Sequence, residues 1–174
     1  MPEGKAMKIF YSLLLFSKLF AIDSVMARAG DTDNWQLVLA EDPFSKQSAC
    51  LLVSAEKQSD DGQATTTVSL VYNGNLFMAK TESNIDLSYA DLGLQVGNKK
   101  PHTIDRLHKK TSAVFETQAP QIRDEFIKGM KASLRLGFWP SWPKTRSYVI
   151  EFDLRGFTRA YEAFVQCQET GEIS

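Results

Sequence analysis

The sequence predicts a mainly β domain, an antiparallel β-sandwich or flattened barrel of about eight strands with a short helix and a C-terminal helix. Three observations lead there. Apolar and polar residues alternate through several stretches of strand length, Asn73-Gly74 marks a tight hairpin, and two segments carry a helical period.

In chain order, residues 35–40 and 49–55 are short candidate strands, the second followed by the turn-like Ser59-Asp60-Asp61-Gly62. Residues 64–72 alternate through Thr66, Val68, Leu70 and Tyr72. Asn73-Gly74 then offers the positive φ angles of a hairpin turn before 76–81 returns. Further strands are expected at 92–96 and 112–116. A short helix runs from Pro120, favoured at a first helical position, to Gly129, suited to a left-handed stop, with Ile122 and Phe126 inward.

Alternation is clearest in 131–138, where Ala132, Leu134, Leu136 and Phe138 share one face and Lys131, Ser133 and Arg135 the other. The pattern recurs in 146–154, with Tyr148, Ile150, Phe152 and Leu154 inward, so the two strands predict a hairpin joined by 139–145. The last helix covers 157–168, because Phe157, Ala160, Tyr161 and Phe164 fall at helical spacing while Arg159, Glu162 and Gln166 face outward. No repeat or low-complexity tract appears, and the polar connection 82–91 still holds Ile85, Leu87 and Tyr89.

The N-terminus has the character of a secretory leader. Lys5 and Lys8 precede the apolar run 9–16, a second run covers 19–22, and Ala27-Arg28-Ala29 supplies small residues for cleavage before Gly30. Residues 1–29 are therefore expected to be a signal peptide and 30–174 a single β-rich domain. Whether translation starts at Met1 or at Met7, the expected mature chain is the same. Ser17 and Lys18 interrupt the run, and neither half approaches the roughly 20 apolar residues of a membrane span, so no stable membrane insertion is expected after cleavage. The leader carries Lys5, Lys8, Lys18 and Arg28 against Glu3 and Asp23, leaving 16 basic and 19 acidic residues in the mature part. That balance gives no indication of nucleic-acid binding, which draws on clustered basic residues.

Cys50 and Cys167 are the two cysteines, and export to an oxidising compartment makes their pairing the simplest reading of an even count. The bridge would tie an early strand to the C-terminal helix. Two free thiols, or a reactive pair, are the alternative, against which stands the absence of C-x-x-C spacing.

His102, Asp105 and His108 combine histidine with a carboxylate at short range. In a strand the imidazoles would lie about 20 Å apart, and on a helix they diverge, so shared metal ligation is not expected and the three read as surface residues. No cofactor is expected either: serines lack the G-x-S-x-G elbow, and glycines such as Gly93 and Gly97 form no phosphate-cradling motif. Asp60-Asp61 and Glu151 with Asp153 read as solvated turn and strand-face carboxylates. More suggestive is the connection Trp139-Pro140-Ser141-Trp142-Pro143. Two prolines there would hold Trp139 and Trp142 as a preorganised contact platform, or the tryptophans would fold back to cap the core.

The segment 129–167, with Trp139-Pro140-Ser141-Trp142-Pro143 and Phe152-Asp153-Leu154-Arg155-Gly156-Phe157-Thr158-Arg159-Ala160-Tyr161, resembles bacterial invasion-associated locus B type proteins and related periplasmic proteins. The order of elements extends the resemblance back to Trp35 and Cys50. This chain departs from the family's pattern in having no cysteine between Cys50 and Cys167. The resemblance implies an exported β-sandwich of Gram-negative bacteria, associated in some relatives with host-cell entry.

The expected function is that of a non-enzymatic periplasmic or secreted protein that binds a protein, envelope or host-surface partner through Trp139, Pro140, Trp142 and Pro143. The alternatives are an envelope hydrolase using His102 or His108 and a structural accessory subunit of an envelope assembly.

Overall fold

Alternating side chains produce the first sheet. The computed structural model describes residues 34–140 and 146–173, so the leader, its cleavage point, Trp142 and Pro143 lie outside the described residues. Strands β1 (Trp35–Glu41) and β2 (Ser48–Ser54) pair antiparallel. β3 (Lys57–Asp60) and β4 (Thr65–Tyr72) form the next hairpin, and β4 turns into β5 (Phe77–Thr81). At that turn Gly74 has the expected positive φ, 98°, but Asn73 does not; Asn73 contributes its side chain instead, its Oδ1 accepting from the amides of Asn75 and Leu76. There follow β6 (Asn84–Ile85), β7 (Gly93–Val96), β8 (Arg106–His108), β9 (Ser112–Phe115) and helix α1 (Ala119–Lys128). The chain continues with β10 (Lys131–Leu136), β11 (Phe138–Trp139), β12 (Tyr148–Asp153) and helix α2 (Phe157–Thr170).

Every ladder is antiparallel. The large sheet runs β1-β2-β4-β5-β9-β8 with β3 also on β4; a three-stranded sheet runs β12-β10-β7, and β11 pairs with β6. Because the large sheet ends at β1 and β8 without closing, the architecture is sandwich-like and the flattened-barrel alternative is set aside. β10 and β12 form the hairpin that alternation foretold, Lys131 opposite Asp153 and Leu136 opposite Tyr148. β3, β6, β8 and β11 were not foreseen; at two to four residues each they are too short to show a period. The turn expected at 59–62 sits later: Ser59 and Asp60 belong to β3, and Asp61 Oδ1 accepts from the amides of Gln63 and Ala64 at 2.9 and 2.7 Å.

The main core fills the space between the large sheet's inner face, the three-stranded sheet and both helices. Trp35 is wholly buried, with Phe157 at 4.9 Å and Phe126 at 5.8 Å from its ring, and its Nε1–H donates to the Asp153 carbonyl at 2.9 Å. The buried indole thus gains apolar area and keeps its one polar atom satisfied. Gly156, at φ 90°, turns the chain so that Phe157 enters this cluster as the first residue of α2. Gly129 ends α1 differently from expectation, in an extended rather than a left-handed conformation. Its constraint is space: a Cβ there would meet Val96 Cγ1 at 2.7 Å and the Glu125 carbonyl at 2.8 Å.

Cys50 of β2 and Cys167 in the last turns of α2 form a disulfide, with Cα atoms 6.1 Å apart. The large sheet also has an apolar outer face. Leu51, Val71, Leu76, Met78 and Val114 are buried there, with Val38, Phe44, Ala49 and Val53 packed against them. The cue in the sequence is continuity, since 49–53, 76–79 and 113–115 are unbroken apolar runs of the kind strands show when both faces are covered.

Candidate functional site

Three places carry the residues singled out above: the Trp139 corner, the His102 pocket and the His108 turn. At the first, β10 passes through Gly137 into β11. A Cβ on Gly137 would lie 2.3 Å from the Tyr89 ring, so only glycine lets Tyr89 cross the chain, and the Gly137 carbonyl accepts from the Asp86 amide at 2.9 Å. This fixes β11 against β6, with Phe138 opposite Ile85 and Trp139 opposite Asn84. Strand alternation then sends Phe138 inward, where it is 1% exposed, and Trp139 outward, where it is 63% exposed. Trp139 does not cap the core. The Trp139–Pro140 peptide is cis and Pro140 is exposed. Leu87, on the segment leaving β6, is another large apolar side chain left open to solvent.

The second place corrects the surface reading of His102, which is 2% exposed. Its backbone bridges Leu94 of β7 with bonds of 2.8 and 2.9 Å, an approach that requires the glycine before it: a Cβ on Gly93 would sit 2.4 Å from the His102 carbonyl. The ring reaches α1, with Nε2 2.8 Å from Glu125 Oε2 and Nδ1 3.2 Å from Gln118 Oε1. Gln121 Nε2 donates to the other Glu125 oxygen at 3.2 Å, and Lys99 Nζ lies 3.5 Å from it. Burial raises the Glu125 carboxyl, but hydrogen bonds from His102 and Gln121, with the charges of His102 and Lys99, outweigh it and hold the group below the usual glutamate range. Glu125 was missed in the sequence. Its signal was position, since it shares the inward face of α1 with Ile122 and Phe126.

His108 stands elsewhere, on β8, with its ring 4.6 Å from that of Phe44. It is half-buried rather than a plain surface residue, its Nε2 is buried without a hydrogen-bond partner, and burial followed by the charges of Lys109, Lys46 and Arg106 pushes its pKa down. Asp105 points into the backbone, accepting from the amides of Glu116 and Thr117 at 2.6 and 2.9 Å. The structure therefore does not bring the two histidines and Asp105 into one centre. Among the described residues no group of three or more His, Cys, Asp or Glu side chains is placed to hold a metal ion. Nor is any helix of the described residues long and apolar enough to cross a membrane.

No protein-family model and no curated protein sequence matches the chain. Among solved structures, it is similar to the crystal structure of invasion associated protein B from Bartonella henselae, with a TM-score of 0.52 and 16% identity over 81% of this chain and 99% of that one. At that identity the likeness is one of fold, and the resemblance read from the Trp139 and Gly156 segments is met at that level: the chain has the fold of invasion associated protein B.

Proposed function

We propose that this chain is an exported, non-enzymatic protein, periplasmic or secreted, that binds a protein, envelope or host-surface component through the segment Trp139 to Pro143. The observation that carries the reading is the outward Trp139, 63% exposed on a strand whose preceding residue, Phe138, is locked in the core. A large aromatic held open by a rigid base supplies contact area at small ordering cost. Support for export comes from the leader-like residues 1–29 and from the Cys50–Cys167 bridge, which suits an oxidising compartment. A solved protein of the same fold is described as invasion associated, and a virulence-associated role for this chain is part of the proposal. The enclosure of His102, with both ring nitrogens engaged by Gln118 and Glu125, favours this reading over a hydrolase built on that residue.

The test is affinity capture from envelope and host-surface extracts with the mature protein and with Trp139→Ala, both checked for equal thermal midpoints. A component retained by the native protein and released by the variant supports the reading. Identical captured sets refute Trp139 as the contact, and a purified native chain that still carries residues before Gly30 refutes the cleaved leader.

A further inference from the structure

The bend between β1 and β2 crosses the large sheet. β1 and β8 lie at opposite ends of the strand order, yet Phe44 from that bend rests on β8, its ring 4.6 Å from the His108 ring and 5.0 Å from the guanidinium carbon of Arg106. Cations gather beside His108. Lys46 belongs to the same bend, Lys109 and Lys110 form the β8–β9 turn, and Lys80 shares the sheet face with His108 through Ser112, which opposes both. Glu41 lies 3.3 Å from Lys46, and Glu116 lies 3.1 Å from Arg106. Among the described residues no carboxylate is within ion-pair distance of Lys109 or Lys110.

Backbone conformation makes the placement more telling. Lys46, Lys109 and Lys110, at φ 61°, 51° and 60°, are the non-glycine residues with positive φ among those described; Lys46 shares the bend of Phe44, and Lys109 and Lys110 directly follow His108, on which that ring rests. Two successive positive φ angles in a hairpin turn suit Asn-Gly rather than Lys-Lys. Lysine pairs there oppose the turn's local preference and add mutual repulsion. Among the described residues the buried Nε2 of His108, like the hydroxyl of Tyr148, has no hydrogen-bond partner.

We propose that Lys46, Lys80, Arg106, His108, Lys109 and Lys110 form a binding site for a tetrahedral oxyanion, the phosphate or sulfate group of an anionic ligand. Such a group offers several acceptor oxygens to the lysine ammoniums in charge-assisted hydrogen bonds and cancels their repulsion. Phe44, half-buried at the tip of its bend, supplies an apolar wall beside the charge. The site is independent of the Trp139 reading.

The experiment uses the full mature chain and Lys109→Asn/Lys110→Gly, which removes two charges while installing the residues the turn prefers. Inorganic phosphate and inorganic sulfate are titrated while amide and imidazole NMR shifts are followed, and vesicles of phosphatidylglycerol are compared with vesicles of phosphatidylcholine. Shifts centred on His108, Lys109 and Lys110, with affinity about tenfold weaker in the variant despite an equal or higher thermal midpoint, are expected. Phosphate or sulfate binding without vesicle binding supports a soluble source of the anion; binding to phosphatidylglycerol alone of the two vesicles, lost in the variant, supports a lipid headgroup. No shift with any probe, or equal affinity in native protein and variant, overturns the proposal.

Discussion

Removing the Cys50–Cys167 bridge tests how far one covalent link holds this sandwich together. The cysteines are 117 residues apart, so the bridge closes most of the β-rich domain, and the chain-entropy relation gives about 5 kcal/mol at room temperature. Domains of this size are stable by roughly 5–15 kcal/mol, so the link accounts for a third or more of the total. Both sulfurs are buried, Cys50 at 4% and Cys167 at 1% exposure, so substitution is cleaner than reduction of the folded protein. The assay is urea unfolding of the native chain and of Cys50→Ala/Cys167→Ala at neutral pH, each followed by far-ultraviolet circular dichroism and tryptophan fluorescence. The expected loss is about 4–6 kcal/mol, with a steeper denaturant dependence because the uncrosslinked unfolded chain exposes more surface. A loss below about 1 kcal/mol with an unchanged slope would refute the reasoning, since the unfolded chain would then be as compact without the link as with it.

Two further perturbations probe the buried polar groups. Glu125→Ala strips the acceptor from His102 Nε2 and should cost about 2–4 kcal/mol in urea unfolding, with Glu125→Gln closer to native because an oxygen remains. The folded Glu125 carboxyl lies below its ordinary value of 4.5, so its contribution is complete above that pH and is lost as pH falls through the folded value; the native-minus-Gln difference should shrink on acidification, and a constant difference would contradict it. Asp42 is 5% exposed and accepts from the amides of Phe44 and Ser45 at 2.8 and 2.7 Å and from Asn73 Nδ2 at 2.7 Å, so it pins the β1–β2 bend to the β4–β5 turn. Asp42→Ala should cost about 2–3 kcal/mol and raise amide hydrogen exchange at residues 43–47 above exchange elsewhere, whereas uniform exchange would place the pin elsewhere.

Part of this protein is determined locally and is readable along the chain. Alternation in 131–138 and 146–154 yields β10 and β12 in the expected pairing, Asn73-Gly74 turns β4 into β5, and the helical spacing of Phe157, Ala160, Tyr161 and Phe164 yields α2. These signals survive because a side chain's face depends on the backbone period, which needs only neighbouring residues. An even count and a leader-like start pointed to the Cys50–Cys167 pairing that the structure shows.

Contacts between distant segments were decided by tertiary structure alone. His102 looked like a surface residue because its spacing to Asp105 and His108 built no shared site; it is buried because Glu125 and Gln118, 23 and 16 residues away, offer hydrogen-bond partners that offset its desolvation. The outward Trp139 depends on a glycine shaped to admit Tyr89 from another segment, and the packing of Phe44 on His108 and Arg106 depends on a bend crossing to the far edge of its own sheet. Period records which way a residue points relative to its neighbours. What it meets there is set by which elements the global minimum brings together, and no local pattern carries that information.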